Sequence, residues 1–466
     1  MTDADRQAGR IEDGRPEDGQ AEAAHADAGR ADSTLWGFRV PSIWLVAGGG
    51  WIGRGIQVIA QLVAVRILIQ GLGTSGYGVF AVLASLNGWL LLSDFCIGIS
   101  LQNHISERRA TGQNTEDLIL TGALLSLGAV CIMGLVVLLI GPWLSHMVLG
   151  EVGFLSASDR TLAFYAVAFP GIGTALGTVM YRIWFARHRG YLSNLVPAAG
   201  TVIGTAAVWA LQHTHAEPRI ALATLFYYAP LAVLPLIALA ATVVRARRNH
   251  RFHRELVRPL LSRAFRFWVS GLLAAAVLQV DYIIMVQVLD VHDIVIYSVA
   301  TKLFLLIFFV YNALLQALWP VCSEAIARHD WHSVRTIVNK YIAFGVVFTL
   351  VAGIGVAIVN PWIVRLLAPG LNTPIPLIVV ALLTFYIMIR VWTDTFAMVL
   401  QSMNDLLLMW LVAPIQSLLS IGLQILGARW FGLPGVIGGL IGCFLLTAVW
   451  VLPLRCWLHA RRDALT

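Results

Sequence analysis

Apolar runs follow one another from residue 43 to residue 456, separated by short polar loops. Each approaches the roughly 20 residues a helix needs to cross the hydrocarbon core of a bilayer. A chain built this way must satisfy its backbone internally, because the bilayer core offers no water. The sequence therefore predicts an all-α polytopic membrane protein. Charge agrees: 12% of the 466 residues are charged, with a mean hydropathy of +0.78, where soluble domains carry about a quarter. Nothing outside the runs is large enough to hold a separate soluble enzyme.

Twelve spans are expected. The first six are 43–69, 77–101, 118–141, 160–181, 193–212 and 220–244. The second six are 267–289, 294–318, 341–364, 377–400, 407–428 and 434–455. Residues 1–39 hold nine acids and five arginines and cannot build a core, so they read as a disordered tail. They also lack the basic start and apolar stretch of a signal peptide.

Lys and Arg fall on one side. Nineteen lie in one set of loops, eight of them from Arg245 to Arg266, and the other set holds Arg160, Arg219 and Arg429. The positive-inside bias makes the rich side cytoplasmic, with both termini there. The 245–266 stretch reads as a basic linker lying on anionic lipid rather than on nucleic acid.

An offset of 217 residues relates the halves without gaps. It carries Trp51 to Trp268, Phe80 to Tyr297, Ser106-Glu107 to Ser323-Glu324, Pro197 to Pro414 and Arg245 to Arg462. Each half has six spans, so the copies face the same way. Two six-helix lobes related by a pseudo-twofold axis along the membrane normal are expected, 40–244 and 267–456, with 457–466 as a tail.

Ionisable residues inside the spans are Arg54, Asp94, Asp281, Lys302, Arg390 and Asp394, with Arg66 and Arg365 nearer the outer surface. Each costs about 2.5–3.5 kcal/mol at mid-bilayer on insertion scales. Such groups need a partner or a wet cavity. Depth along the spans matches Asp281 with Lys302 and Arg54 with Asp94, and Arg390 and Asp394 share a face at i and i+4. These pairs could simply fasten helices, and Arg66 could snorkel to the interface. Alternatively Arg54, Lys302, Arg390 and Arg66 form a cationic cavity, arginine being suited to phosphate by its bidentate fork. Asp94, Asp281 and Asp394 would then hold the cations in the empty site or carry a coupling proton.

The sequence shows no HExxH, P-loop or nucleophile elbow, so no catalytic set, metal or cofactor is expected. The five cysteines lack CxxC spacing and read as small apolar residues. The Gly71–Gly78 stretch, GLGTSGYG, reads as a tight turn between the first two spans. Gly173/Gly177 and Gly438/Gly442 read as close helix packing.

The segment GLGTSGYGVFAVLASLNGWLLLSDFCIGISLQNHISERRATGQ, Gly71–Gln113, resembles the start of the polysaccharide biosynthesis flippase family. That family shares a superfamily with the multidrug and toxin extrusion transporters and the lipid II flippases. The likeness rests on the G-x-x-x-x-G-Y-G turn, Phe80, Ser93–Gly98 and Ser106-Glu107-Arg108. It implies transfer of an undecaprenyl-diphosphate-linked oligosaccharide to the outer leaflet of a bacterial inner membrane. It also implies a cationic central cavity that Arg54 and Lys302 would line, and other polysaccharide assembly proteins as partners. The alternatives are a cation-coupled drug exporter, which would favour acidic cavity residues, and a membrane enzyme of envelope glycan assembly.

Overall fold

The structure is a computed structural model. It describes residues 33–35, 38–40 and 42–463, apart from 111, 151, 188, 215–218, 249, 368–372 and 404–406. Two short strands, β1 (Ser33–Leu35) and β2 (Phe38–Val40), pair antiparallel at the end of the segment read as a tail. The remainder of that segment lies outside the described residues.

Everything after is helical. The elements are α1 (Ser42–Ser85), α2 (Asn87–Leu90), α3 (Ile97–Ala110), α4 (Glu116–Leu149), α5 (Ala157–Ala186), α6 (Gly190–Leu211) and α7 (Arg219–Arg247). The second half holds α8 (Val257–Leu278), α9 (Asp281–Val288), α10 (Val291–Ala327), α11 (Trp331–Leu367), α12 (Leu377–Ser402), α13 (Leu407–Leu446) and α14 (Ala448–Asp463). Outward faces of α4 and α11 are apolar, with Leu139 and Ile358 more than two-thirds exposed. Water would oppose such faces, and lipid tolerates them.

Ten helical stretches among the described residues are long and apolar enough to cross a membrane. The sequence reading counted more because two of them, Ile52–Asp94 and Val412–Asp463, run 43 and 52 residues. A straight helix of the shorter length would extend about 65 Å, twice the hydrocarbon thickness. Each instead breaks at a glycine in the left-handed region, Gly73 (φ 73°) and Gly432 (φ 63°), a conformation that β-carbons resist. Past Gly432 the arms of α13 lie antiparallel. Gly435 meets Gly427 backbone to backbone, and Gly439 faces the Leu423 carbonyl. The expected pair Gly438/Gly442 is not the contact: Gly438 has open space beside it.

The arms of α1 are also antiparallel, judged by their neighbours. The first arm runs parallel to α6, with Gly53 beside Asn194, Thr205 Oγ1 donating to Ala60 O at 3.4 Å and Gln212 donating to Ile67 O. The second runs along α7, Gly76 near Ile220 and Phe80 edge-on to Tyr227 at 5.5 Å. Because α6 and α7 oppose each other through Gly200–Leu231 and Gly204–Tyr227, the arms of α1 do too.

The halves repeat this packing. In the second, Ser417 and Ser420 of α13 donate to Leu273 O and Val277 O of α8 at 2.9 and 3.2 Å. Those contacts span 144 and 143 residues, and Thr205–Ala60 spans 145. A hydroxyl that ties the fifth span to the first in each lobe agrees with the 217-residue repeat.

One boundary differs from the sequence reading. The stretch 257–266, taken as linker, is the first part of α8. Val257, Leu261 and Phe265 recur on one face, and Leu260 and Ala264 are buried on another. That two-sided apolar pattern carries the helix beyond the arginines.

Candidate substrate site between the lobes

The lobes meet along the second arm of α1, α2 and α3 from one half, and α8 and α10 from the other. At the arginine-poor end they are sealed. Every residue from Gly76 to Leu83 in α1 and from Ile294 to Ala300 in α10 is buried. Gly78 permits the approach, since a β-carbon there would strike Val291. Tyr227, Tyr228, Tyr282 and Tyr297 pack the same end.

Beyond Ala300 the burial of α10 changes abruptly. From Thr301 to Val310 only Phe304 is buried. On the α3–α8 side the lobes stay in contact to the arginine-rich end: Trp268 Nε1 donates to Leu92 O at 3.1 Å, Ser100 Oγ to Leu260 O at 2.9 Å, and Arg263 pairs with Glu107 at 2.7 Å. The loosely packed cleft therefore lies on the other side, between the first arm of α1 and α10, where Arg54 is exposed and reaches the Phe309 ring. The repeat makes the difference visible at one pair of positions. Gly271 packs on Leu92 where its equivalent 217 residues earlier, Arg54, is exposed.

Three of the four expected cations gather round α10. Lys302 is on it. Arg390, from α12, lies 4.8 Å over the Phe308 ring, and Arg54, from the opposite lobe, lies 5.7 Å over Phe309. Positions 302 and 309 are about 10 Å apart along a helix. Arg66 does not join them: it is exposed, twelve residues along α1 from Arg54, or about 18 Å.

The acids fall out differently from their depths. Arg390 and Asp394 do pair, Nη2 to Oδ2 at 2.8 Å, with Tyr386 OH accepting from Nη1 at 3.2 Å. Asp281 does not meet Lys302. Its Oδ2 accepts from Tyr297 OH at 2.5 Å and its Oδ1 from the Tyr282 N–H at 2.9 Å. Asp94 does not meet Arg54. It accepts the N–H groups of Cys96 at 2.9 Å and Gly98 at 3.1 Å, and the cation acting on it is Arg182. Both carboxylates stand where a transmembrane helix breaks and restarts. Orphan N–H groups at the new N-terminus, with the positive end of the helix dipole, satisfy much of each acid's demand, so neither needs the mate its depth suggested.

The break at Asp94 is pronounced. A 3-10 turn (Leu91–Asp94) leads to Phe95 and Cys96, both with positive φ, 50° and 57°. This aims Phe95 at Trp268 of the other lobe, ring centroids 5.0 Å apart.

Lys302 has the most telling surroundings. Its Nζ donates to Tyr77 OH at 2.7 Å, and Tyr77 OH meets Ser298 Oγ at 2.9 Å. Among the described residues no carboxylate pairs with it. Sequence reasoning passed over Tyr77 as part of a turn. The turn is at Gly73, and Tyr77 lies a full helical turn beyond it, completely buried. The G-Y-G triplet held the signal: a polar aromatic flanked by residues that admit close approach.

The comparisons with known proteins follow this geometry. The profile described as "Polysaccharide biosynthesis protein" matches residues 46–326. A protein of Yersinia pseudotuberculosis described as an O-antigen export protein is 37% identical over 418 residues, 89% of this chain and 96% of its own. The chain belongs to the polysaccharide biosynthesis protein family. A Salmonella typhi protein described as an O-antigen transporter is 34% identical over 91% of this chain and 98% of its own. Among solved structures, an inward-facing multidrug resistance MATE family transporter of the MOP superfamily matches at a TM-score of 0.71. It covers 88% of this chain and 96% of its own, at 14% identity. The lipid II flippase MurJ in an inward closed conformation matches at 0.70, covering 87% of each chain at 13% identity. An outward-facing MATE structure scores 0.56, covering 91% and 96% at 13% identity. These fix the fold as the two-lobed transporter fold of that superfamily. The protein is a multi-pass membrane protein of that family.

A separate groove of 720 Å³ lies on the free face of α8 near the arginine-rich end. Arg254, Arg258 and Arg266 line it beside Val257, Leu261 and Phe265.

Proposed function

We propose that this protein is a flippase carrying an undecaprenyl-diphosphate-linked oligosaccharide from the cytoplasmic to the outer leaflet of the bacterial inner membrane. The observation that carries the reading is the charge balance of the cleft. Arg54, Lys302 and Arg390 converge on α10 with one carboxylate, Asp394, paired among them. A drug exporter of cationic substrates would need the opposite sign. A diphosphate offers acceptors to all three, and charge-assisted bonds are about twice as strong as neutral ones.

The same cleft suits a lipid. An opening between the first arm of α1 and α10, where the packing is loose, would let the headgroup enter while the polyprenyl tail stays in the bilayer. On the Lys/Arg bias the open end would face the cytoplasm, with both termini there. Greater likeness to inward-facing relatives agrees, 0.71 against 0.56. Rocking of the lobes about the cation cluster would then present the glycan to the outer side. Asp281 is the group we assign to proton coupling. It has donors but no cation among the described residues, so taking up a proton would break no ion pair. The α8 groove, with three arginines beside three apolar residues, is assigned to anionic phospholipid.

Binding tests the substrate class directly. Protein in nanodiscs is titrated with undecaprenyl diphosphate and, separately, with a cationic dye. Saturable binding of the lipid, weakened about tenfold in Lys302→Gln and in Arg54→Gln, is expected, since a hydrogen bond to a charged group is worth about 1.5–3 kcal/mol. Dye binding that depends on Asp394, with none of the lipid, would instead identify a drug exporter.

A further inference from the structure

We propose that Tyr77 couples substrate binding to release of the outer end of the cleft. It holds the Lys302 ammonium while the cleft is empty and gives it up to an anionic headgroup. The inference rests on the substrate class proposed above and adds a positioning residue to that site.

The geometry is a chain across the lobes. Lys302 and Ser298 belong to α10, and Tyr77 to α1 of the other lobe. Lys302 Nζ donates to Tyr77 OH at 2.7 Å, which leaves the Tyr77 proton for Ser298 Oγ at 2.9 Å. Donors in series polarise one another, so each bond is stronger for the other's presence. Tyr77 is fully buried and Ser298 is 1% exposed. Water therefore cannot replace either partner, and parting the lobes there means breaking the chain.

Lys302 stands at the border between the sealed stretch and the cleft. Ala300 is wholly buried and Leu305, five residues on, is 59% exposed. Its stem is flexible, and among the described residues its charge is met by a phenol alone. A diphosphate entering the cleft offers the ammonium an anionic acceptor in place of a neutral one. The ammonium then swings from the seal to the ligand, and the seal keeps only Tyr77–Ser298. Loading the site and loosening the far end become one event.

The test reads the outer end by distance. In a Cys131→Ala background, spin labels are placed at Ser75→Cys, just past the break in α1, and His292→Cys, at the start of α10, both exposed. The four other cysteines are buried. Pulsed EPR in nanodiscs is recorded without ligand and with undecaprenyl diphosphate. Without ligand, Tyr77→Phe should raise the separated population about fivefold, the ratio one net hydrogen bond commands. Ser298→Ala should raise it too, and Ser298→Thr should match the parent. Parental distances in both Tyr77→Phe and Ser298→Ala would overturn the proposal. With ligand, the parent should separate, whereas Lys302→Gln, which has no ammonium to give up, should show the same distances with and without ligand. Lipid that binds the parent without separating the labels would also overturn it. Lipid that does not bind at all would contradict the substrate reading, while the ligand-free arm still decides the role of Tyr77.

Discussion

At the scale of the residue, Lys302 concentrates the account. It lacks a carboxylate partner among the described residues and shares α10 with two rings that carry arginines. Transport assays should therefore separate the cations. Arg54→Ala and Lys302→Gln are expected to lower flipping about tenfold or more, on the strength of a charged hydrogen bond. Arg66→Ala should leave it within twofold, as a snorkelling residue would. Equal losses in all three would mean that net charge, rather than position, matters. The charges themselves were legible in the sequence because each is costly in lipid. Their partners were not. Depth along a span gave Asp281 and Asp94 the wrong mates, because helix breaks supply N–H groups that no periodicity reveals. Arg390–Asp394 was legible because both members share one unbroken helix. Tyr77 was hidden because its glycine-rich surroundings read as a turn, whereas the chain turns at Gly73 and is helical again by Tyr77.

At the scale of the element, glycines decide how the long helices fold back. Gly435 faces the Gly427 carbonyl, and Gly438 faces open space. Gly435→Ala should therefore lose monodisperse, folded protein in size-exclusion chromatography, overpacking costing about 1–3 kcal/mol or more. Gly438→Ala should elute as the parent. The end of α14 carries a second test. Hydrogen bonds from Trp331 Nε1 at 2.8 Å and from His329 hold the Asp463 carboxyl below the usual carboxylate range. A folded-state pKa lowered in this way contributes to docking above the ordinary aspartate range, and the contribution is lost as pH falls through the folded value. Hydrogen exchange of 448–463 should therefore speed up on acidification in the parent. Asp463→Asn should be fast throughout and flat over the same range. A parent with no such dependence would remove Asp463 from the anchoring of α14.

At the scale of the whole molecule, the two-lobed fold was legible because membrane spans announce themselves by length and because the halves keep a 217-residue register. The asymmetry between the lobes was less so. It arises where the repeat places Gly271 opposite Arg54, one closing against Leu92 and the other left open. That difference leaves one side of the cleft loosely packed and puts a charge there, and the proposed transport of a lipid-linked anion needs both.

The most direct test is flipping itself. Purified protein is reconstituted in liposomes with a fluorescent undecaprenyl-diphosphate oligosaccharide, and leaflet exposure is followed with an impermeant quencher. Parent and Lys302→Gln are compared at equal, orientation-checked incorporation. The account predicts transfer by the parent that falls about tenfold or more in Lys302→Gln, at unchanged folding. Transfer by Lys302→Gln at the parental rate would contradict it, because the cation cluster would then have no part in moving the headgroup.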